Sequence, residues 1–288
     1  MERKLISIII PTYNCGHKLA ATMESVLSQP GELYETIVVD GGSSDETLRV
    51  VEEYGGDVRF ISEPDRGVYD AINKGIGLAA GKYLFFLGAG DRLKEGVFER
   101  VAGLLPEGEM SFVYGDAYLV RHGVRVCGEF SMKEFIIRNI CHQAIFYERT
   151  IFDVLGGYDL KYKVYADWAF NMKCFADRRV RKVYLDMVIA DFEGWGISDT
   201  QDDVEFYRDL PRLIRKHVGL DEYLRRRIYL SRVAFYGFRQ RLAGSLKAAA
   251  KQPASLLNRL KLDDAGAKTN EECVGGRRLT GSDDAEIN

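Results

Sequence analysis

Residues 5–91 hold four short apolar runs, each ending in a turn rich in glycine, polar residues or carboxylates, with three stretches of helical periodicity between them. The first run, 5–10, is almost continuous and rich in isoleucine, and Pro11 stands at its end. Such a run fits a strand buried on both faces, as parallel sheets require. The turn P-T-Y-N-C-G follows, and Leu19, Met23, Val26 and Leu27 then fall at the spacing of an amphipathic helix ending near residue 29. A second strand at 36–39 ends in Asp40-Gly41-Gly42, and Ser44 or Asp45 can cap a helix carrying Leu48, Val51 and Tyr54. A third strand at 58–61, a helix marked by Ala71, Ile72, Ile76 and Ala79 and stopped at Gly81, and a fourth strand at 82–87 complete the series. This β-α-β-α-β-α-β order predicts a doubly wound, Rossmann-like α/β sheet sandwiched by helices, with right-handed crossovers. Ligands bind such sheets at the carboxyl ends of the strands. Asp40, the 65–74 segment and Asp91 are therefore expected to converge on one crevice.

After Asp91 the rhythm loosens. The pattern predicts a helix at 95–105, a short strand at 112–114, a hairpin over 118–126 turning at His122-Gly123, and a helical turn at 134–139. A strand at 144–147, a helix at 150–155, a break at Gly156-Gly157, a helix at 167–176 and a strand at 183–190 follow. Residues 193–198 read as a flexible loop and 204–217 as a helix. These elements are expected to complete a mixed sheet within one domain, 1–220. Residues 223–262 then carry ten Lys or Arg and no acid, interleaved with leucines and aromatics, which predicts basic amphipathic helices broken near Pro253. Residues 263–288 carry seven acids against three bases and few large apolar groups, the composition of a disordered tail.

A net charge of −3 disfavours a nucleic-acid binder. Five cysteines (15, 127, 141, 174 and 273), odd in number and without a C-x-x-C pair, read as free thiols in a reducing compartment. The opening M-E-R-K-L-I-S-I-I-I-P is too short in its apolar part for a signal peptide. No stretch approaches 18 apolar residues, so no membrane-spanning helix is expected.

Five segments occur in order: S-I-I-I-P-T-Y-N at 7–14, I-V-V-D-G-G-S-S-D-E-T at 37–47, Y-D-A-I-N-K-G-I at 69–76, L-F-F-L-G-A-G-D at 84–91, and G-G-Y-D at 156–159 followed by A-D-W at 166–168. Together they resemble the family 2 glycosyltransferases of the GT-A fold, over roughly residues 5–200, in the branch that builds bacterial surface polysaccharides such as capsule, exopolysaccharide and O-antigen. The resemblance implies an inverting transfer from a nucleotide-diphosphate sugar, a UDP-sugar first among them, to a hydroxyl of a lipid-linked or growing glycan. It places the enzyme in the cytoplasm or peripherally on the inner face of the plasma membrane.

The resemblance also assigns roles. Asp40 would accept the uracil imide N–H, with Pro11, Thr12, Tyr13 and Asn14 across the base and ribose pocket. Asp65, Gly67, Asp70, Asn73 and Lys74 would face the donor, the last three, at i, i+3 and i+4, sharing one helix face. Asp91 would hold a divalent cation, Mn²⁺ or Mg²⁺, on the diphosphate. Here the family's D-x-D is reduced to Gly88-Ala89-Gly90-Asp91. Asp167 would be the base that takes the acceptor proton, although Ala166 stands where the family has Glu. His142, Gln143 and Trp195 would reach the diphosphate or acceptor, Trp195 from a loop able to close over the donor, and 223–262 would touch anionic lipid. Plainer roles are open for each: turn or helix cap for Asp40, Asp91 and Asp167, solvated helix face for 65–74, satisfied structural residue for His142, surface turn for Trp195 and charged bundle edge for 223–262. A non-catalytic partner of an active transferase is the alternative function. A sugar nucleotidyltransferase fits less well, since P-T-Y-N-C-G lacks a basic, glycine-rich triphosphate loop.

Overall fold

The computed structural model describes residues 4–194, 196–221 and 224. The expected alternation is realised as β1 (Ile6–Thr12), α1 (Gly16–Leu27), β2 (Tyr34–Asp40), α2 (Thr47–Glu53), β3 (Val58–Ser62), α3 (Val68–Leu78) and β4 (Tyr83–Phe86). All four strands are parallel, in the order β3-β2-β1-β4. β1 runs through Pro11 to Thr12 rather than ending before it. Its pairing with β4 stops at Ile9↔Phe86, so the missing N–H of Pro11 forfeits no ladder bond on that side.

The second half supplies β5 (Arg92–Leu93), α4 (Val97–Ala102), β6 (Ser111–Leu119), β7 (Val124–Val126), α5 (Met132–Ile137), β8 (Ile145–Glu148), α6 (Thr150–Leu155), α7 (Ala166–Ala176), β9 (Arg181–Phe192), α8 (Ile197–Thr200) and α9 (Val204–His217). The sheet becomes mixed: β8 is antiparallel to both β4 and β6, β9 is parallel to β6, and β5 is antiparallel to β9. The full order is β3-β2-β1-β4-β8-β6-β9-β5, with β7 on β6. Within this frame α4 is shorter than its periodicity suggests, because Gly96 takes a left-handed φ of 60° before it and Gly103 follows it. Part of the expected 193–198 loop is the one-turn helix α8. β5 was invisible in the sequence, being two residues long, yet it carries the functional consequence: pairing Arg92 with Asp191 and Leu93 with Ala190 lays the end of β9 beside Asp91.

Each sheet face has its own core. Ile8, Ile10, Val38, Phe85, Phe98 and Phe146 pack on one side, and Ile9, Val39, Phe86, Tyr147, Phe152 and Phe170 on the other. On the second face Phe152 and Phe170 stack at 4.5 Å between centroids, and Tyr158 meets Phe86, Phe152 and Phe170 at 5.2–5.8 Å. Such pairs contribute about 0.5–1.5 kcal/mol each beyond area burial. They fix the G-G-Y-D segment on β4, and with it the entry into α7 and Asp167.

Trp195, residues 225–288 and the predictions that fall on them lie outside the described residues. Among the described residues no helix is long and apolar enough to cross a membrane.

Candidate active site

Thr12, Asp40 and Ser62 close the ends of three adjacent strands in register, Thr12 opposite Asp40 and Asp40 opposite Ser62. Asp40 is fully buried. Its Oδ1 accepts from the hydroxyls of Thr12 (3.2 Å) and Ser43, and its Oδ2 from Gly42 N (3.0 Å), Ser43 N (2.8 Å) and Ser62 Oγ (2.7 Å). Burial on its own raises the carboxyl pKa, but the bonds from Ser43, Ser62 and Gly42 outweigh it and hold the acid below its ordinary value. A carboxylate offers about four lone-pair directions, and the chain itself directs five donors at this one. Asp40 thus organises the D-G-G-S turn. Asn14, at φ 48°, joins that turn to the first loop: its N–H donates to Ser43 Oγ (2.8 Å) and its Oδ1 accepts from Ser44 N (2.9 Å). Asp45 accepts from Gly16 N and Thr47 N, tying the starts of α1 and α2, while Pro11 is half-buried and Tyr13 stands free above them, 65% exposed.

The loss of so many bonds is measurable. Asp40→Ala is expected to destabilise the fold by about 1–3 kcal/mol, the cost of leaving the buried Thr12 hydroxyl unpaired, since water can reach Gly42 and Ser62. Because the folded pKa is depressed, Asp40 stabilises above its unfolded pKa, and the contribution is lost as pH falls through the folded one. Urea melts of both proteins between pH 7 and pH 3 should converge toward the acid end. A constant gap would remove the carboxylate from the account.

Gly41 has no side chain, and a Cβ built there would lie 2.6 Å from Asp65 Oδ2. Asp65 accepts from Gly67 N through Oδ1 (2.8 Å) and so leans over the strand ends. The rest of its segment has partners elsewhere. Asp70 takes the backbone N–H and guanidinium of Arg66, whose side-chain bond lowers its pKa. Lys74 bonds Pro64 O (3.0 Å) and Glu63 (2.8 Å). Asn73 grips Tyr158 as a backbone would, Nδ2 donating to its carbonyl and Oδ1 accepting its N–H, both at 2.9 Å. The shared helix face therefore fastens α3 to its surroundings, and of the set Asp65 is the carboxylate set over the crevice.

Asp91 is 7% exposed. Its Oδ1 accepts from Glu193 N at 3.3 Å, a bond that the β5–β9 pairing makes possible. Burial dominates and pushes its acid up to about 7, with the Glu193 carboxylate adding to the rise and Lys18 opposing it. Gly90 takes a left-handed φ of +106°, and a Cβ there would lie 3.0 Å from Glu193 Oε2 and 3.4 Å from Lys18 Cδ, so these two side chains close against its α-carbon. Glu193 and Lys18 are an ion pair at 3.6 Å. Neither residue was singled out in the sequence, since each comes from an element remote in sequence from G-A-G-D. Among the described residues no group of three or more acidic, His or Cys side chains can hold a metal ion. Asp91 and Glu193 are nevertheless hard oxygen donors, the chemistry that suits a cation taking its other oxygens from a diphosphate and water, as Mg²⁺ commonly does.

Asp167 lies in the first turn of α7, behind the cap position at Tyr165, and is 6% exposed. Oδ1 is reached by Trp168 N and by Tyr69 Oη, whose one proton it shares with Val164 O (2.7 Å), and Oδ2 by Asn139 Nδ2, each of the three at 2.8 Å from the carboxylate. A relay sets the Asn139 amide: Tyr147 Oη donates to Asn171 Oδ1 (2.7 Å), and Asn171 Nδ2 donates to Asn139 Oδ1 (3.0 Å). Three donors leave one of the four lone-pair directions of the carboxylate unbonded, and His142 Nδ1 stands 3.9 Å from Oδ2. Burial raises the Asp167 pKa over the opposing effects of His142, Tyr69, Trp168 and Asn139, and burial lowers that of His142 despite Asp167. Gln143 is buried in the short turn that leads into β8. Cys127 first, then burial, push the Cys141 thiol up, and the Asp91 and Asp167 carboxylates add to the rise. Tyr69 was within reach of sequence reading, inside Y-D-A-I-N-K-G; Asn139, Asn171 and Tyr147 carried no signal.

A parallel half with an organised acidic turn, joined to a mixed half that brings a buried carboxylate to the same crevice, defines a GT-A fold. Residues 7–160 match the model of Glycosyl transferase family 2, and the chain belongs to that family and is a glycosyltransferase. It is 41% identical over 235 residues to a PGL/p-HBAD biosynthesis glycosyltransferase of Mycobacterium bovis (strain BCG / Pasteur 1173P2), covering 79% of this chain and 92% of that one. It is 28% identical over 211 residues to the poly(ribitol-phosphate) beta-N-acetylglucosaminyltransferase TarP of Staphylococcus aureus (strain N315), covering 66% and 64%. In fold it is similar to S. aureus TarS in complex with UDP-GlcNAc (TM-score 0.59, 20% identity, 74% of this chain and 66% of that one). It is likewise similar to the mannosyltransferase PcManGT of Pyrobaculum calidifontis in complex with GDP-Man and Mn²⁺ (TM-score 0.59, 17% identity, 93% and 82%).

Proposed function

We propose that the protein transfers a sugar, with inversion, from a UDP-sugar to a hydroxyl of a lipid-linked or growing glycan in surface glycolipid or polysaccharide synthesis, at the cytoplasmic side of the membrane. The observation that carries this reading is the contrast between two buried aspartates. Asp40 is saturated by five donors and held acidic; Asp167 has three donors, an unbonded lone-pair direction and a raised pKa. The first is built to stay an anion in a turn, the second to receive a proton. The acceptor hydroxyl gives its proton to Asp167 Oδ2 as its oxygen attacks the anomeric carbon. The bond to the diphosphate breaks on the opposite face, and the configuration inverts. Asp65, over Gly41, and the exposed ring of Tyr13 bound the base pocket. Asp91 and Glu193 would hold the cation, which when bound supplies positive charge to the leaving diphosphate.

Uridine is favoured because TarS was solved with UDP-GlcNAc, while PcManGT with GDP-Man keeps guanosine as the competitor. Thermal-shift assays with UDP, GDP, CMP and dTDP, each with and without Mn²⁺ or Mg²⁺, decide between them. At 100 times Kd a ligand adds about 2.7 kcal/mol, so UDP with cation should raise Tm by several degrees. A shift with GDP alone would change the donor, and no shift with any nucleotide would overturn the reading.

A further inference from the structure

α7, α9 and the 159–162 segment line a cavity of about 170 Å³ whose floor includes Ala169 and Phe170 and whose rim carries Lys161, Lys173, Arg212 and Lys216. Two carboxylates also line it, Asp159 and Asp209, but Lys161 engages both, at 3.3 and 3.1 Å. Asp209 further accepts from Tyr162 Oη at 3.1 Å and faces Arg208 at 3.8 Å. Among the described residues, Lys173, Arg212 and Lys216 then have no acid within ion-pair distance; Lys173 has only the Phe170 ring, 5.9 Å from its Nζ. Burial first, then Lys216 and Lys173, push the His217 imidazole down to about 4, so it adds no charge of its own at neutral pH. Burial likewise lowers the Lys173 ammonium, with Lys216 and Lys161 repelling it and Asp159 opposing them.

Four cations and two carboxylates line this one concave, apolar-floored site, and with both carboxylates engaged by Lys161 the other three cations leave it a receptor for an anion. The guanidinium of Arg212 can bond two oxygens of one group while the lysines add point charges. We propose that this cavity binds a phosphoryl group, with the apolar floor beneath it. A phosphoryl group reaches the site either as the headgroup of an anionic lipid or on a soluble phosphorylated compound, and none of the residues assigned to the donor or to proton transfer is needed for it.

The test uses the full chain and Lys173→Gln/Lys216→Gln. Inorganic phosphate is titrated with Tm as the readout, and co-sedimentation is measured with vesicles of phosphatidylcholine, with and without phosphatidylglycerol. Each cation near an anionic bilayer is worth about fivefold in binding, so the double variant should partition about 25-fold less onto the anionic vesicles. Loss confined to vesicles, or seen with both probes, assigns the lipid headgroup; loss of the phosphate shift alone assigns a soluble phosphorylated ligand. Either supports the site. Because 223–262 is itself basic, only the difference between variant and parent counts. Should the double variant melt early without ligand, Arg212→Gln, on an exposed side chain, repeats the comparison. Unchanged responses to both probes in a folded variant overturn the proposal.

Discussion

Asp167→Asn is expected to lower kcat by about 10²–10⁴-fold, the range that general-base catalysis contributes, with donor KM little changed. The substitution keeps the shape and removes the proton acceptor. Oδ1 of the asparagine can still receive Tyr69 and Trp168 N–H, but its amide then meets Asn139 Nδ2, which the Tyr147–Asn171 relay holds as a donor. The pH profile separates a base from a packing residue. Burial raises the pKa of Asp167, so activity should fall as pH drops through a value above the ordinary carboxylate range, and the residual activity of the variant should lose that limb. Stability moves the other way: a raised carboxyl pKa favours the fold below the unfolded pKa and costs stability as pH rises through the folded one. Urea melts at pH 7–8 should therefore show Asp167→Asn no less stable than the parent by more than the donor–donor clash removes, about 1 kcal/mol. Retention of a tenth of the parent kcat would end the assignment.

What the sequence could say about this site depended on how far each partner lies along the chain. The parallel half was readable because strands buried on both faces leave continuous apolar runs, and because turn residues sit at their ends. Asp40, Thr12 and Asn14 were placed correctly at that edge, but the count of donors on Asp40 was not readable, since Ser62 reaches it only through strand register. The i, i+3, i+4 grouping of Asp70, Asn73 and Lys74 was geometrically right, yet spacing does not tell whether a helix face meets ligand, solvent or protein. Here it meets Arg66, Tyr158 and Glu63. Glu193 was hidden most completely. It reaches Asp91 over 102 residues of chain through a two-residue strand that no periodicity could announce.

That hidden contact leads to the second large effect. Asp91→Asn is expected to cost about 10²–10³ in kcat, the usual loss when a group that stabilises developing charge is removed, and to abolish any dependence of UDP binding on Mn²⁺ or Mg²⁺. Glu193→Gln is the more informative partner. As an exposed ion pair with Lys18 at 3.6 Å, Glu193 would be worth only about 0–1 kcal/mol, and its loss would barely register. As a carboxylate over Gly90 it would share the cation with Asp91, and Glu193→Gln should then raise the Mn²⁺ concentration needed for half-maximal rate about tenfold or more. Double-mutant cycles distinguish the two cases, because residues serving one ion couple by about 0.5–3 kcal/mol whereas independent ones add. The acid of Asp91, pushed up to about 7 by burial, gives the same site a second signature. A ligand ion must displace the proton it holds, so cation binding should release protons near neutral pH, measurable as a buffer-dependent heat, and should weaken as pH falls. Additive effects of the two substitutions, with no change in metal requirement, would confine Glu193 to its ion pair and leave Asp91 as the sole protein ligand in G-A-G-D.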